Sequence, residues 1–113
     1  MAILVYAESQ DGHYKKAAFE AISYAKTIAD KAGDTVTAVA INATESSDSL
    51  YKYGANKVLK VSNDALKSFS PNAYAKVLSE LKDGDTIVLP ATNDASSFAP
   101  LLALKTDATL VTN

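Results

Sequence analysis

Short apolar runs alternate with longer stretches of helical pattern along the whole chain. The runs lie at residues 3–7, 35–41, 57–61, 86–89 and 109–111. This alternation is typical of an α/β domain with a parallel sheet, in which each strand is followed by a crossover helix. The final run has no helix after it. A doubly wound unit normally feeds its last strand into further structure, so we expect the chain to be the front part of a longer protein.

The stretches between these runs predict four helices. The clearest spans residues 14–32, where small apolar residues recur at helical spacing and Gly33 suits the position after a helix end. The pair Ser70-Pro71 is typical of a helix start, with serine as the cap and proline in the first turn. We predict the remaining helices at residues 47–53, at 71–81 and at 98–105, with Pro100 in the first turn of the last one. We interpret residues 8–12 and 92–97 as polar loops.

The predicted elements define one architecture for a single α/β domain over residues 1–113. We expect an open, doubly wound, mainly parallel five-stranded sheet with helices on both faces. The longest helix joins strands one and two, and strand four must return beside strand one. These connections favour the strand order 3-2-1-4-5.

The composition excludes several classes of function. The net charge is -2 and all eleven basic residues are lysines, which does not suit a nucleic-acid-binding protein. The chain has no cysteine, so disulfides and thiolate metal sites are excluded. No apolar run approaches the roughly 20 residues of a membrane span, and no signal peptide is visible. We therefore expect a cytoplasmic protein that does not insert into membranes.

Candidate site residues collect where the predicted strands end. In doubly wound sheets, ligands bind beyond the carboxyl ends of the strands, at the switch point between strands one and four. Hydroxyl, amide and carboxylate groups at this edge could bind a nucleotide or a partner's backbone, or could simply be solvated loops and helix caps. The candidate residues of this polar edge are Glu8, Ser9, Asn42, Thr92, Asn93 and Asp94.

Recognisable catalytic, cofactor and metal motifs are absent. There is no G-x-G-x-x-G, no phosphate-binding G-x-x-x-x-G-K-[ST], and no glycine at residues 91–97. His13 is the single histidine, and no partner for it is evident. Glu8 and Asp11 could form a carboxylate pair, but we interpret them as solvated loop charges. We thus expect no catalytic residue, no bound cofactor and no metal in this chain.

Several segments, taken in order, resemble the N-terminal domain of the electron transfer flavoprotein alpha subunit. They include the ILVYAE start at residues 3–8, YGANKV at 53–58 and APLLA at 99–103. Residues 21–26, 72–78 and 110–112 fit the same pattern, so the resemblance covers nearly the whole chain. Two departures stand out: relatives usually carry a glycine and an arginine–acid pair at residues 94–98, and an arginine at the position of Leu101.

The resemblance implies a fold like that of the adenine nucleotide alpha hydrolases and a role in electron transport. In that family the FAD lies mainly in the C-terminal domain of the alpha subunit, and AMP belongs to the partner beta subunit. The N-terminal domain is a scaffold that packs against the beta subunit. The intact heterodimer takes electrons from flavin dehydrogenases and passes them to a quinone reductase or similar acceptor. No residue of this chain matches a flavin ligand of the family.

The resemblance therefore implies that this chain is a non-enzymatic scaffold and interaction domain from a longer alpha subunit. Apolar surface that the rest of the alpha subunit would cover is then exposed, so we expect the chain to self-associate. One alternative is a stand-alone adenine-nucleotide-binding module resembling universal stress proteins. Another is a small enzyme with its site at Glu8, Asn42 and Asn93.

Overall fold

The computed structural model describes residues 2–113, which adopt an α/β fold. Seven strands are present: β1 Ala2–Tyr6, β2 Ser9–Gln10, β3 His13–Tyr14, β4 Thr35–Ile41, β5 Lys57–Val61, β6 Thr86–Leu89 and β7 Thr109–Thr112. The helices are α1 Lys16–Ala32, α2 Asp48–Tyr53, α3 Pro71–Leu81 and α4 Asn93–Lys105, with a short 3₁₀ turn at Asp64–Leu66.

Five strands form one parallel sheet in the order β5-β4-β1-β6-β7. In chain order this is 3-2-1-4-5, so the predicted topology is confirmed. The order reverses at β1, which pairs with β4 on one side and β6 on the other. The connections that follow β1 and β6 therefore leave the sheet toward opposite faces. A crevice lies between these two connections, at the carboxyl ends of the two strands.

Two apolar layers cover the sheet. On one face α1 and α2 pack over Ile3, Val5 and Val88, and on the other α3 and α4 pack over Leu4, Ile87 and Leu89. Strand β1 is buried on both faces, as its continuous apolar sequence predicts. Helix α1 meets the sheet through alanines 18, 21, 25 and 29, all of which are fully buried.

An aromatic group closes the second layer near the carboxyl end of β1. The ring of Tyr6 meets Phe98 at 5.4 Å and Tyr74 at 6.2 Å between centroids, both in edge-on geometry. The Tyr74 hydroxyl donates a 2.8 Å hydrogen bond to the carbonyl of Leu66. Burial raises the pKa of Tyr6 well above its ordinary value of 10.0, and the nearby charge of Glu8 adds to the shift.

Most predicted helix boundaries agree with the structure to within two residues. Ser70 accepts a hydrogen bond from the Ala73 amide and Pro71 opens α3, as predicted. Gly33 closes α1 in the left-handed conformation with φ 74°. The predicted start of α1 at Tyr14 is wrong, because Tyr14 belongs to β3 and the helix begins at Lys16.

Two predicted loops are ordered elements. Residues 8–12 include part of a hairpin in which β2 and β3 pair antiparallel, with Asp11 and Gly12 at φ 54° and 85°. Residues 93–97 are the first turns of α4, so Pro100 lies inside that helix rather than in its first turn. Pro100 and Ser96 are both exposed, so water can satisfy the Ser96 carbonyl that loses its helical partner.

Within residues 2–113, no helix is both long and apolar enough to cross a bilayer.

The buried phenols make the fold sensitive to alkaline pH. Burial also raises the pKa of Tyr14 and of Tyr74. An unfolded phenol ionises near pH 10, whereas these folded phenols keep their protons, so the unfolded state binds fewer protons above that pH. Their stabilisation is complete below pH 10 and is lost as pH rises toward the folded pKa.

We therefore predict that Tyr6→Phe flattens the fall in the free energy of unfolding above pH 10. Tyr24→Phe is the matched control, since Tyr24 is 40% exposed. Urea denaturation at neutral pH and at several values above pH 10 measures both slopes. Equal slopes for the two variants and the parent protein would contradict the role assigned to Tyr6.

Candidate functional site

The structure divides the predicted polar edge into two neighbouring grooves. Glu8, Thr92, Asn93 and Asp94 line a cleft of about 560 Å³ at the switch point, between the connections that leave β1 and β6. Asn42 lies outside this cleft, in a groove of about 390 Å³ beyond the end of β4. Ser9 lines both, because the β2–β3 hairpin stands between them.

Glu8 is the central side chain of the switch-point cleft, and only 2% of its surface is exposed. One carboxylate oxygen, Oε2, accepts a 2.9 Å hydrogen bond from Lys15 Nζ. The other, Oε1, accepts a 2.6 Å hydrogen bond from the Thr92 hydroxyl. Our interpretation of Glu8 as a solvated loop charge is therefore wrong: its carboxylate is buried and bonded at both oxygens.

Thr92 connects this carboxylate to the start of α4. Its hydroxyl oxygen accepts the backbone amide of Ala95 at 3.2 Å while its proton goes to Glu8, so the side chain caps the helix. Asp94 lies in the first turn of α4, where a negative charge favours the helix dipole. The group of Glu8, Lys15 and Thr92, called here the switch-point cluster, joins the end of β1 to α1 and α4.

Lys15 supplies the positive charge of the cluster. Its ammonium is paired with a nearly buried carboxylate but is itself 36% exposed, so water still reaches it. The hydrogen bond to Glu8 raises the pKa of Lys15, and the charges of Glu8 and Asp94 act in the same direction. The backbone adds a second link, since the Lys15 amide donates to the Glu8 carbonyl at 3.0 Å.

Asn42 and Ser9 hold the neighbouring groove together. Asn42, at φ 55°, accepts the Asn63 amide at 2.8 Å and donates to the Asn63 carbonyl at 3.0 Å. The Ser9 hydroxyl donates to the Ile41 carbonyl at 3.3 Å. The side-chain amide of Asn42 thus continues the pattern of hydrogen bonds between β4 and β5 beyond the ends of the strands. Because Asn42 lies in this groove, the residues of the small-enzyme alternative, Glu8, Asn42 and Asn93, do not share one cleft.

Several residues of this edge went unpredicted. The sequence does not identify Lys15 as a site residue, because the predicted helix start at Tyr14 places it inside α1. Glu45 anchors the hairpin: its Oε1 accepts the Tyr14 amide at 3.1 Å, and its own amide donates to the Gly12 carbonyl at 3.0 Å. The available signal was the dipeptide Asp11-Gly12, a strong marker of a two-residue hairpin turn.

The cleft suits internal hydrogen bonding better than the binding of a phosphate. The Ala95 amide is already occupied by Thr92, and two carboxylates flank the helix start. A flavin or adenine dinucleotide would bring a negatively charged pyrophosphate to this place, so these residues do not fit one. Among residues 2–113 no group of three or more acidic or histidine side chains is arranged to hold a metal ion.

We predict that Glu8→Gln lowers the free energy of unfolding by about 2–3 kcal/mol. The glutamine keeps the shape but removes the charge facing Lys15, and it cannot accept hydrogen bonds equally well at both ends. Most of the loss in the free energy of unfolding comes from the buried position of residue 8, because the ammonium of Lys15 is partly exposed and can be hydrated instead. Urea denaturation measures the loss, and Glu20→Gln on the exposed side of α1 is the control, with an expected change below about 0.5 kcal/mol.

A double-mutant cycle tests the bond between Glu8 and Thr92 directly. Thr92→Val keeps the shape but removes the hydroxyl, and with Glu8→Gln it should show a coupling energy of about 1 kcal/mol or more. Thr92→Ser retains the hydroxyl and should couple far less. Strict additivity of Glu8→Gln and Thr92→Val would show that the charge of Glu8 does not strengthen its bond to Thr92, and would contradict this prediction.

Comparisons with known proteins agree with this architecture. A universal stress protein from Archaeoglobus fulgidus superposes with a TM-score of 0.62 at 17% identity, covering 99% of this chain and 92% of that one. At that identity the likeness shows the fold alone. It supports the expected similarity to the adenine nucleotide alpha hydrolase fold.

Sequence comparison identifies the family. The electron transfer flavoprotein subunit alpha of Clostridium acetobutylicum is 32% identical over 108 residues, which are 91% of this chain and 32% of that protein. The lactate dehydrogenase (NAD(+),ferredoxin) subunit LctC of Acetobacterium woodii is 34% identical over 108 residues, covering 91% of this chain and 26% of that protein. The chain thus spans about a third or less of the length of these relatives.

A family profile described as the electron transfer flavoprotein domain matches residues 3–113. The match includes every strand and helix from β1 to β7 apart from the first residue of β1. The chain therefore belongs to the electron transfer flavoprotein family.

Proposed function

We propose that this chain is the N-terminal scaffold and interaction domain of an electron transfer flavoprotein alpha subunit. The assembly it belongs to carries electrons from flavin dehydrogenases to a downstream acceptor. The observation that carries this proposal is the family match along residues 3–113, together with alpha-subunit relatives that align over nine-tenths of the chain. The partner in this proposal is the beta subunit, and the compartment is the cytoplasm.

The switch-point cluster supports a structural rather than a catalytic role. Both oxygens of Glu8 are engaged, and the Thr92 hydroxyl both donates to that carboxylate and accepts the Ala95 amide. A general base or nucleophile needs a reactive atom that can reach a substrate. In this cleft Glu8, Lys15 and Thr92 are committed to joining β1, α1 and α4.

The cofactors of the intact assembly lie outside this chain in our proposal. The flavin supplies the electron-carrying chemistry, and FAD belongs to the remainder of the alpha subunit, with AMP in the beta subunit. The misfit between the switch-point cleft and a pyrophosphate supports that division. What this chain contributes is a rigid sheet that holds its surfaces in fixed positions for the rest of the assembly.

We predict that the purified chain is colourless and stays free of flavin when incubated with FAD. Gel filtration followed by measurement of flavin absorbance and fluorescence in the protein peak tests this. The Clostridium acetobutylicum alpha–beta complex, treated identically, is the positive control. A stoichiometric flavin in the peak of this chain would contradict the proposed division of roles.

A chimera tests the role in assembly. In the Clostridium acetobutylicum alpha subunit, the matching segment is replaced by this chain, and the product is co-expressed with the beta subunit. We expect a flavin-containing heterodimer. The universal stress protein domain from Archaeoglobus fulgidus, inserted at the same place, has the fold without the family resemblance and should not assemble. Failure of the first chimera, or equal success of both, would overturn the proposal.

The alternative of a nucleotide-binding module makes the opposite prediction for the switch-point cleft. Calorimetric titration with ATP would then show stoichiometric micromolar binding. Our proposal expects no heat above dilution, because Glu8 and Asp94 present negative charge where a phosphate would lie. Binding that disappears in a variant of this cleft would favour the module.

A further inference from the structure

An aromatic groove lies on α1, on a side of the helix that does not face the sheet. It has a volume of about 380 Å³, and its walls include Phe19 and Tyr24 of α1, Tyr53 of α2 and Asn113. Tyr24 is 40% exposed and Tyr53 is 45% exposed, whereas Phe19 is partly buried against the core. These four residues define the aromatic groove, which leaves part of three rings in contact with solvent.

Packing between the rings fixes the shape of the aromatic groove. The ring of Tyr53 stacks on that of Phe19 with 4.6 Å between centroids, and Tyr14 meets Phe19 edge-on at 6.2 Å. Leu50, which lies in α2 with Tyr53, is fully buried in the layer shared with α1. Because the walls are held in place, a segment that binds here does not have to order them first.

The aromatic groove carries one charge of each sign along its wall. Lys16 and Glu20 are exposed and line the groove, and within residues 2–113 neither takes part in an ion pair. The matching occupant therefore has apolar or aromatic side chains for the rings, with an acidic and a basic group for these two charges.

We propose that the polypeptide segment that follows Asn113 in the alpha subunit binds in the aromatic groove. The inference rests on the proposed function, in which this chain continues into the remainder of that subunit. The match to this chain covers only 32% of the Clostridium acetobutylicum relative, so most of that subunit is further polypeptide.

Asn113 brings the chain to the aromatic groove. Its amide donates to the Leu89 carbonyl at 3.0 Å, which fixes residue 113 beside β6, and the same residue forms part of the groove wall. The residues that follow it therefore start next to the exposed rings. Covalent attachment gives them a high effective concentration there, so weak contacts are enough to hold them.

The size of the aromatic groove favours an attached segment over a separate partner. A volume of about 380 Å³ accommodates only a few side chains, whereas a stable interface between two proteins buries roughly 800 Å² of each partner. A separate protein also loses translational and rotational freedom on binding, a cost that an attached segment largely avoids. The beta subunit or a second copy of this chain would need surface far beyond these rings.

Site-specific crosslinking tests the proposal in the chimera described above, co-expressed with the beta subunit. Tyr24 is replaced by the photoreactive residue p-benzoylphenylalanine, and the crosslinked peptides are identified by mass spectrometry. We expect crosslinks within the alpha chain, to residues that follow Asn113. The same replacement at Tyr51 is the control, because Tyr51 is 48% exposed but does not line the groove. It should give few such crosslinks.

Amide exchange in the same chimera is a second measurement, which needs no photoreactive residue. Tyr24→Ser should raise the exchange rates of amides in the segment after Asn113 roughly tenfold or more, because an aromatic anchor is lost. Tyr51→Ser should leave those rates nearly unchanged. Rates that Tyr24→Ser does not raise above those of Tyr51→Ser would overturn the proposal.

The outcomes separate this inference from the proposed function. The inference alone would be overturned if the chimera forms a flavin-containing heterodimer but position 24 crosslinks to the beta subunit or to a second copy. The same holds if positions 24 and 51 crosslink equally to the following segment. A chimera that does not assemble with the beta subunit would overturn the proposed function, and the inference would fall with it.

Discussion

The close approach of α1 to the sheet is the constraint on which the rest of the domain depends. Four alanines and Ile22 form the inner face of this helix and are fully buried against β1, β4 and β6. Small side chains let the helix axis lie near the strands, so β1 can be sealed on one face while α3 and α4 seal the other. A larger residue at any of these positions would push the helix outward and disturb the strand at which the sheet reverses its order.

The switch-point cluster depends on that placement. Because α1 lies close to β1, the residue just before the helix, Lys15, can reach back to the Glu8 carboxylate, and α4 can bring Thr92 to the same group. Buried carboxylates are stable only when their oxygens are bonded, so the three elements are held in one geometry. The crevice that other doubly wound folds use for ligands is here lined by side chains that bond to one another.

The sequence predicted the fold well because its signals were local and mutually consistent. Apolar runs, the Ser70-Pro71 start and Gly33 each mark an element, and their order left few topologies. The site was harder to predict because the role of Glu8 depends on partners 7 and 84 residues away in the chain. Periodicity carries no information about such distant pairs. The hairpin is hard to predict because its strands are only two residues long. The start of α4 is hard to predict because its cap Thr92 and the polar residues that follow have the composition of a loop.

The edge strand β5 carries two exposed lysines, Lys57 and Lys60, on a strand of five residues. Lysines on an edge strand oppose its pairing with a strand of another chain. The charge on β5 therefore makes continuation of the sheet beyond this border unfavourable, although its backbone groups are of the same kind as those that join the inner strands.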